Sequence, residues 1–427
     1  MTRMIWLFAA LLACSVEVHA QTADDATADG EELLYPPLQQ GTLSAEGDQE
    51  QADAEVTRSP FPLNSPLEPW FAFKQGLQER YGLTIGGSWG LLYQNYSSSR
   101  IDEHHSTGSK FTFNLAYDIF RRGTPEALTF AMAIEDRRPV FGSDLPPLFA
   151  GFAAGSAVPT AATWGEFDLG VTQAYIRQNL FGNKFQYTVG KVFAPNFVNA
   201  YPFFDDNRQF LSQQFSTNPT IQTPLRGFGM VAAYYPTATG LYLQAGVYTA
   251  RSDDTGSTID DFFNTSERFY HFDIGFTGRP RAGLPIEARG PTDSDNFHVT
   301  SWYRDAQADG TPRSYGIAFN ANWMVAEQAL VFFRGGWSED WAAERSLSAG
   351  VGWRPGGSPA NLIGIGVGWT EPAAQVLRSQ YTIEAFYRYH LTRNFAITPD
   401  LQAIIDPSTN PGTSVLWVAS LRARVTF

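Results

Sequence analysis

The stretch YTIEAFYRYHL, residues 381–391, alternates in character at almost every step. Ile383, Ala385, Tyr387, Tyr389 and Leu391 share one face of an extended chain; Thr382, Glu384, Phe386, Arg388 and His390 share the other. Successive side chains of a strand point to opposite faces, so this segment reads as a strand with one apolar and one largely polar face. Three other stretches follow the same rule. In 294–306, Phe297, Val299 and Tyr303 oppose His298, Thr300, Trp302 and Arg304. In 329–340, Val331, Phe333 and Trp337 oppose Phe332, Arg334 and Ser338. The final SLRARVTF sets Leu421, Ala423, Val425 and Phe427 against Ser420, Arg422, Arg424 and Thr426.

Working outward, period two predicts sixteen strands at 83–97, 109–120, 127–136, 169–180, 184–193, 225–235, 240–251, 268–279, 294–306, 313–325, 329–340, 344–354, 361–371, 379–391, 394–406 and 414–427. Most are longer than the five or six residues usual in soluble sheets, and they suit a tilted membrane strand. The connections alternate between short turns and long polar segments, the long ones being 98–108, 137–168, 194–224 and 252–267. The connector at 280–293 is long for its set. Outer-membrane barrels sort their loops in this way, and an even strand count puts both chain ends on the short-turn side. A soluble sandwich of such strands would expose four sheet edges, whereas closure removes edges and satisfies the backbone in lipid. The expected fold is therefore all-β: a 16-stranded antiparallel transmembrane β-barrel preceded by a short helix. At that strand number side chains cannot fill the interior, so an aqueous channel is expected.

The remaining sequence agrees with export. Arg3, the apolar run 4–14 and Val18-His19-Ala20 have the layout of a secretory signal peptide at 1–20. The only cysteine, Cys14, lies within it, where a lipoprotein-type box is the alternative reading. Residues 21–59 are acidic with little to bury and read as disordered. A proline-rich connector and a helix over 70–81, stopped by Gly82, fill 60–82, and the barrel occupies 83–427. The formal charge of -13 excludes a nucleic-acid partner, which needs basic patches.

In a membrane barrel the apolar face meets lipid and the polar face lines the lumen, because Arg or Lys at the bilayer midplane costs about 2–4 kcal/mol. Arg177, Arg304, Arg334, Arg388, Arg422 and Arg424 are therefore expected to point inward, as are Asp118, Glu135, Asp273, Glu384 and Asp400. Trp302, Tyr175 and Phe386 share that parity and offer stacking surfaces. Tyr117, Trp323, Trp337, Trp353, Trp369 and Trp417 fit interfacial aromatic girdles. Segments 137–168 and 194–224, with Phe149, Phe152, Phe203, Phe204, Asp205 and Asp206, are expected to fold into the mouth and narrow it.

The stretch 381–412 resembles the C-terminal signature of the OprB-type carbohydrate-selective porins, through Glu384, Tyr387, Leu391-Thr392, Thr398-Pro399-Asp400, Gln402 and Asp406-Pro407. The helix before the first strand, Val189-Gly190-Lys191, and Gln209-Phe210-Leu211 with Phe215 and Pro219 are similar to that family as well. The resemblance covers about residues 65–427 and departs in the acidic segment 21–59. It implies an outer-membrane channel for passive diffusion of mono- and small oligosaccharides. Its partners would be sugars, outer-membrane lipid and, through the aromatic terminal Phe427, the barrel-assembly machinery; monomer and trimer both stay open.

Three signals suggest other chemistry. Gly86-Gly87-Ser88-Trp89-Gly90 matches a nucleophile elbow but lies within a strand rather than at a strand-to-helix turn. Asp102-Glu103-His104-His105 could hold a cation, although a loop charge run is usually solvated. Gly364, Gly366 and Gly368 suit small lumen positions better than a dinucleotide loop. No cofactor, metal or catalytic residue is expected. A general or anion-preferring porin is the alternative function, and a barrel enzyme the more distant one.

Overall fold

The computed structural model describes residues 67–427 except 125, 183, 238–239, 254, 279–294, 327, 356–360 and 393. The expected export signal, acidic segment and most of the proline-rich connector lie outside the described residues. Helix α1 spans Glu68–Tyr81, with Pro69 in its first turn, where the missing N–H costs nothing. Gly82 ends it in the left-handed region (φ 67°), its N–H donating to the Gln78 and Leu77 carbonyls. No residue of α1 is buried, so its apolar side chains stay at least partly uncovered. Lys74 Nζ on α1 and the main-chain oxygen of Phe427 both lie close to Gly86, which sets the helix beside the barrel's closing seam.

Sixteen strands follow in sequence order and close into one barrel in which each strand pairs with its neighbours. The first eight are β1 (Leu83–Tyr96), β2 (His105–Phe120), β3 (Leu128–Pro139), β4 (Phe167–Leu180), β5 (Phe185–Phe193), β6 (Arg226–Tyr234), β7 (Leu241–Thr249) and β8 (Arg268–Thr277). The rest are β9 (Asn296–Arg304), β10 (Ser314–Ala326), β11 (Ala329–Glu339), β12 (Ala343–Trp353), β13 (Leu362–Pro372), β14 (Gln380–Thr392), β15 (Phe395–Ile405) and β16 (Val415–Thr426). Every pairing is antiparallel, including the seam, where Ser88 faces Thr426 and Tyr96 faces Val418. Gly87 and Phe427 exchange both main-chain hydrogen bonds at 2.9 Å, so the last residue completes the ladder.

Two strands are longer than their sequence pattern suggests. β2 begins at His105, which pairs with Asn95, and β3 runs on to Pro139, which pairs with Gly108. The extension carries Asp136 and Arg138 outward, where their side chains bond to each other (2.7–3.0 Å) at the long-loop rim. Alternation governs the wall throughout. Ile365, Val367 and Leu421 are about half exposed on the outside, while Thr382, Glu384, Phe386 and Arg388 are buried inside. Tyr117, Trp323 and Trp353 stand at the short-turn end of their strands and Trp337, Trp369 and Trp417 at the long-loop end, all facing outward. These two rings of amphipathic side chains match the two interfaces of a bilayer.

Candidate functional site

Two long connections turn into the barrel and set the character of its interior. The one between β3 and β4 makes a helical turn at Pro146–Phe149, continues through Ala150–Ala154, and is capped by Gly155 at φ 80°. The one between β5 and β6 includes a helical turn at Gln213–Ser216, whose N-cap Ser212 accepts from the Gln214 N–H (3.2 Å). The two segments are joined. Gln213 N–H donates to the Pro159 carbonyl (2.9 Å), Ala162 N–H to that of Leu211 (3.0 Å), and Asp206 accepts from Thr163.

Apolar burial drives the infolding. Tyr201, Phe203, Phe210 and Phe215 pack on Leu330, Phe332, Leu362 and Phe386 of β11, β13 and β14. Their rings meet mostly edge to face, as Phe210 and Phe386 do at 5.0 Å. Phe149, Ala153 and Ala154 pack on Tyr96, Ile404, Leu416 and Val418. A large apolar side chain contributes about 1.5–3 kcal/mol on full burial, so the aromatic cluster alone anchors the second segment firmly. The lumen glycines make room for it. A Cβ on Gly366 would come 2.8 Å from Phe215, one on Gly352 2.4 Å from Phe203, and one on Gly368 2.4 Å from Gln214. Gly364 gives the same clearance to Phe386.

Charged wall residues fasten the segment's backbone. Arg334 donates to the carbonyls of Asn199 (3.0 Å), Phe215 (3.0 Å) and Thr217 (3.2 Å) and to the Asn199 side chain (3.0 Å). Its guanidinium also lies 3.7 Å from the Tyr201 ring centroid. Burial raises the Tyr201 hydroxyl well above its ordinary pKa, so it remains a neutral donor, bonded to the Phe215 carbonyl. Three strands further round the same wall, Glu384 accepts from the N–H groups of Leu211 (2.6 Å) and Ser212 (3.0 Å), beside Asp400. Arg422 donates to the Asp206 and Gln209 carbonyls, and Arg388 to that of Arg208 (3.5 Å).

All thirteen side chains expected in the lumen lie on the inward face, but they divide by environment. Arg334, Arg388, Arg422 and Glu384 are buried against the infolded segment. Asp273 is buried with Thr300, Gln244 and His271, and Glu135 with Arg137, Arg226 and Thr172. Asp400 and Arg424 are covered as well. Asp118, Arg177 and Arg304 keep partial exposure; Asp118 accepts from Thr129 (2.7 Å), and Arg304 donates to the Ala250 carbonyl (3.0 Å). The proposed stacking surfaces point inward, yet their faces are occupied. Trp302 stacks on Phe269 at 6.0 Å, Tyr175 belongs to the cluster around Phe197 and Val198, and Phe386 meets Phe210. Phe152 stays 65% exposed rather than turning into the mouth, because Phe149, Ala153 and Ala154 are the residues of that turn that face the wall.

Sequence reasoning placed Asp206 in the infolding segment but did not single out Lys110, Arg137, Arg226 or Asn199 as interior contacts. Lys110 reaches Asp206 (3.7 Å) and Thr163 (2.7 Å), linking β2 to both segments. Inward parity on β2, β3 and β6 was the available signal for the three cations. Ser88 lies in β1, as its alternation requires, and His105 opens β2 with Glu103 3.4 Å away. Among the described residues no group of three or more His, Cys, Asp or Glu could hold a metal ion.

Residues 150–427 match the sequence model of the family described as carbohydrate-selective porin, OprB family. No curated protein matches the chain. Among solved structures, the chain is similar to the high-pH form of Pseudomonas putida OprB, with 14% identity, 84% of this chain and 97% of that chain covered, and a TM-score of 0.64. The low-pH form of the same protein gives 14% identity, 87% and 100% coverage, and a TM-score of 0.52. At such identity these structures speak for the shared barrel fold.

Proposed function

The chain belongs to the OprB family of carbohydrate-selective porins, and on that premise we propose how sugars cross it and which side chains they meet. It is an outer-membrane porin through which carbohydrates pass, and its family and fold are those of a channel. Mono- and small oligosaccharides diffuse passively through the part of the lumen that the two infolded segments leave open. Arg334, Arg388, Arg422 and Glu384 position the narrowing segment. Asp118, Arg177 and Arg304, the partly exposed members, meet the solute. Glu135, Asp273, Asp400 and Arg424 set a field of mixed sign across the path, and Tyr175 and Trp302 stiffen the wall behind it. A neutral, hydroxyl-rich solute needs donors and acceptors on all sides and weak binding, so that it can leave.

The observation that carries this reading is that the interior charges of both signs are spent on fixing a segment across the lumen rather than on a single-sign ring. The cation-rich patch of Lys110, Arg137, Arg226, Arg422 and Arg424 favours an anion-preferring pore as the alternative. Planar-bilayer recordings separate the two. A sugar channel gives a current that glucose or maltose partly blocks, with a reversal potential near zero in a salt gradient. A strong anion potential with no sugar block refutes sugar selectivity. The same proposal includes export through residues 1–20 and docking of Phe427 on the barrel-assembly machinery, tested by the secretion and membrane insertion of variants at those sites.

A further inference from the structure

Helix α1 doubles back along β1. Lys74 stands eight residues before the corner at Gly82, and Gly86 four residues after it. Eight residues of helix rise about 12 Å and four of strand about 13 Å, so the two positions come level when the chain reverses. They do meet: Lys74 Nζ lies 3.5 Å from where a Cβ on Gly86 would stand. The corner is held by the left-handed Gly82 and by the Asp118 N–H, which donates to the Gly82 carbonyl (2.9 Å).

Alternation decides on which side of the wall they meet. Trp89 and Tyr93 of β1 are exposed on the outside, while Ser88, Leu92 and Gln94 are buried inside. Gly86 has the parity of the second set, and the β1–β2 ladder runs without a register shift from Leu83 to Asn95. The Lys74 ammonium therefore lies on the lumen side of β1, in the space that the missing Cβ leaves. The helix is turned accordingly. Leu67, Trp70, Phe71, Lys74 and Leu77 recur at helical spacing and are half-buried, whereas Glu68, Ala72, Gln75 and Glu79 are exposed on the other side. Gln75 donates to Glu79 one turn on (2.8 Å). Lys74 keeps partial exposure, with Nζ 4.9 Å from the Phe71 ring centroid.

We propose that α1 forms part of the inner wall at the short-turn end of the lumen, and that Lys74 is a charge-selecting residue of that mouth. Its ammonium joins Asp118 and Arg177, the partly exposed wall charges at the same end, and tips their balance to positive. Gln75 and Glu79, on the far side of the helix, face the water of the same mouth. Small anions gain from the added cation and small cations lose, so the proposal holds or fails independently of the sugar reading.

The test is the ion selectivity of Lys74→Cys in planar bilayers under a salt gradient. The sequence's one other cysteine, Cys14, lies in the expected export signal. Current through the unmodified variant proves that the barrel has assembled. An aminoethyl methanethiosulfonate then restores a cation at position 74, and a sulfonatoethyl one places an anion there. The anion-to-cation permeability ratio is expected to be about twofold or more lower for the second adduct than for the first. Concentrated salt should shrink the difference. Arg121→Cys is the control, since Arg121 is exposed in the turn between β2 and β3 and pairs with Glu126; its two adducts should give equal ratios. Equal ratios for the two adducts at position 74 overturn the proposal. A change at position 121 as large as that at 74 also overturns it, because Lys74 would then act as a rim charge. A thiol at 74 that reacts with neither reagent in a conducting channel counts against it too, since residue 74 would lie away from the lumen water.

Discussion

Replacing Arg334 by methionine should loosen the docking of the infolded segment. The guanidinium binds the Asn199, Phe215 and Thr217 carbonyls and the Asn199 side chain, and it covers the Tyr201 ring. Methionine fills much of the same volume but leaves those oxygens without their donor. Removing one partner of a buried charged network costs about 3–5 kcal/mol. Lumen water restores part of the lost bonding, so about 3 kcal/mol is the appropriate figure. At about 1.4 kcal/mol per factor of ten, the ratio of docked to released segment falls roughly a hundredfold. In single-channel recordings this should appear as current that flickers between the wild-type level and larger ones. Limited proteolysis from the long-loop side should cut within 199–217 faster than in wild type. Arg334→Lys should behave much like the methionine variant, since one ammonium cannot reach oxygens that a planar fork spans. A steady wild-type current together with unchanged proteolysis in Arg334→Met would refute the reasoning.

Other outcomes follow from the same geometry. Glu384→Leu leaves the N–H groups of Leu211 and Ser212 unpaired, at about 1–3 kcal/mol each; hydrogen exchange at those two amides should speed up by about tenfold or more. Gly190→Ala should impair the barrel itself, because φ is 141° and a Cβ would sit 2.6 Å from Tyr175 Cα; a cost of about 2–4 kcal/mol should lower the fraction migrating as folded protein without boiling. Arg177→Gln and Arg304→Gln remove partly exposed lumen cations, so the reversal potential should move toward cation preference, whereas Arg345→Gln on the outer face should leave it unchanged.

Most of the barrel was legible because one residue in two must meet lipid. That demand marks strands as plain as β13 and β14 and the end of β16. It also predicts that Arg422 and Arg424 turn inward, and they do. Boundaries were less legible where a strand continues beyond the lipid, as β3 does through Asp136 to Pro139, since polar outward side chains there erase the pattern. The infolding could be anticipated from aromatic residues in polar loops, with Phe203 and Phe149 as its markers. Its fastenings could not. Arg334 and Glu384 bind main-chain groups far away in sequence, and a carbonyl or N–H has no side-chain signature. The same limit hid the reason for Gly352, Gly366 and Gly368, whose missing Cβ atoms are needed only because Phe203, Phe215 and Gln214 come in from another segment. Parity alone also made Trp302 and Tyr175 look available to solute, although neighbouring side chains already cover them.

Liposome swelling tests the central claim most directly. Vesicles carrying the purified barrel, placed in an isotonic solution of glucose, should swell quickly, more slowly in a disaccharide, and least in a long oligosaccharide that the narrowed lumen excludes. Swelling equal to that of protein-free vesicles in glucose, from a preparation that conducts ions, would contradict the account of this barrel as a sugar channel.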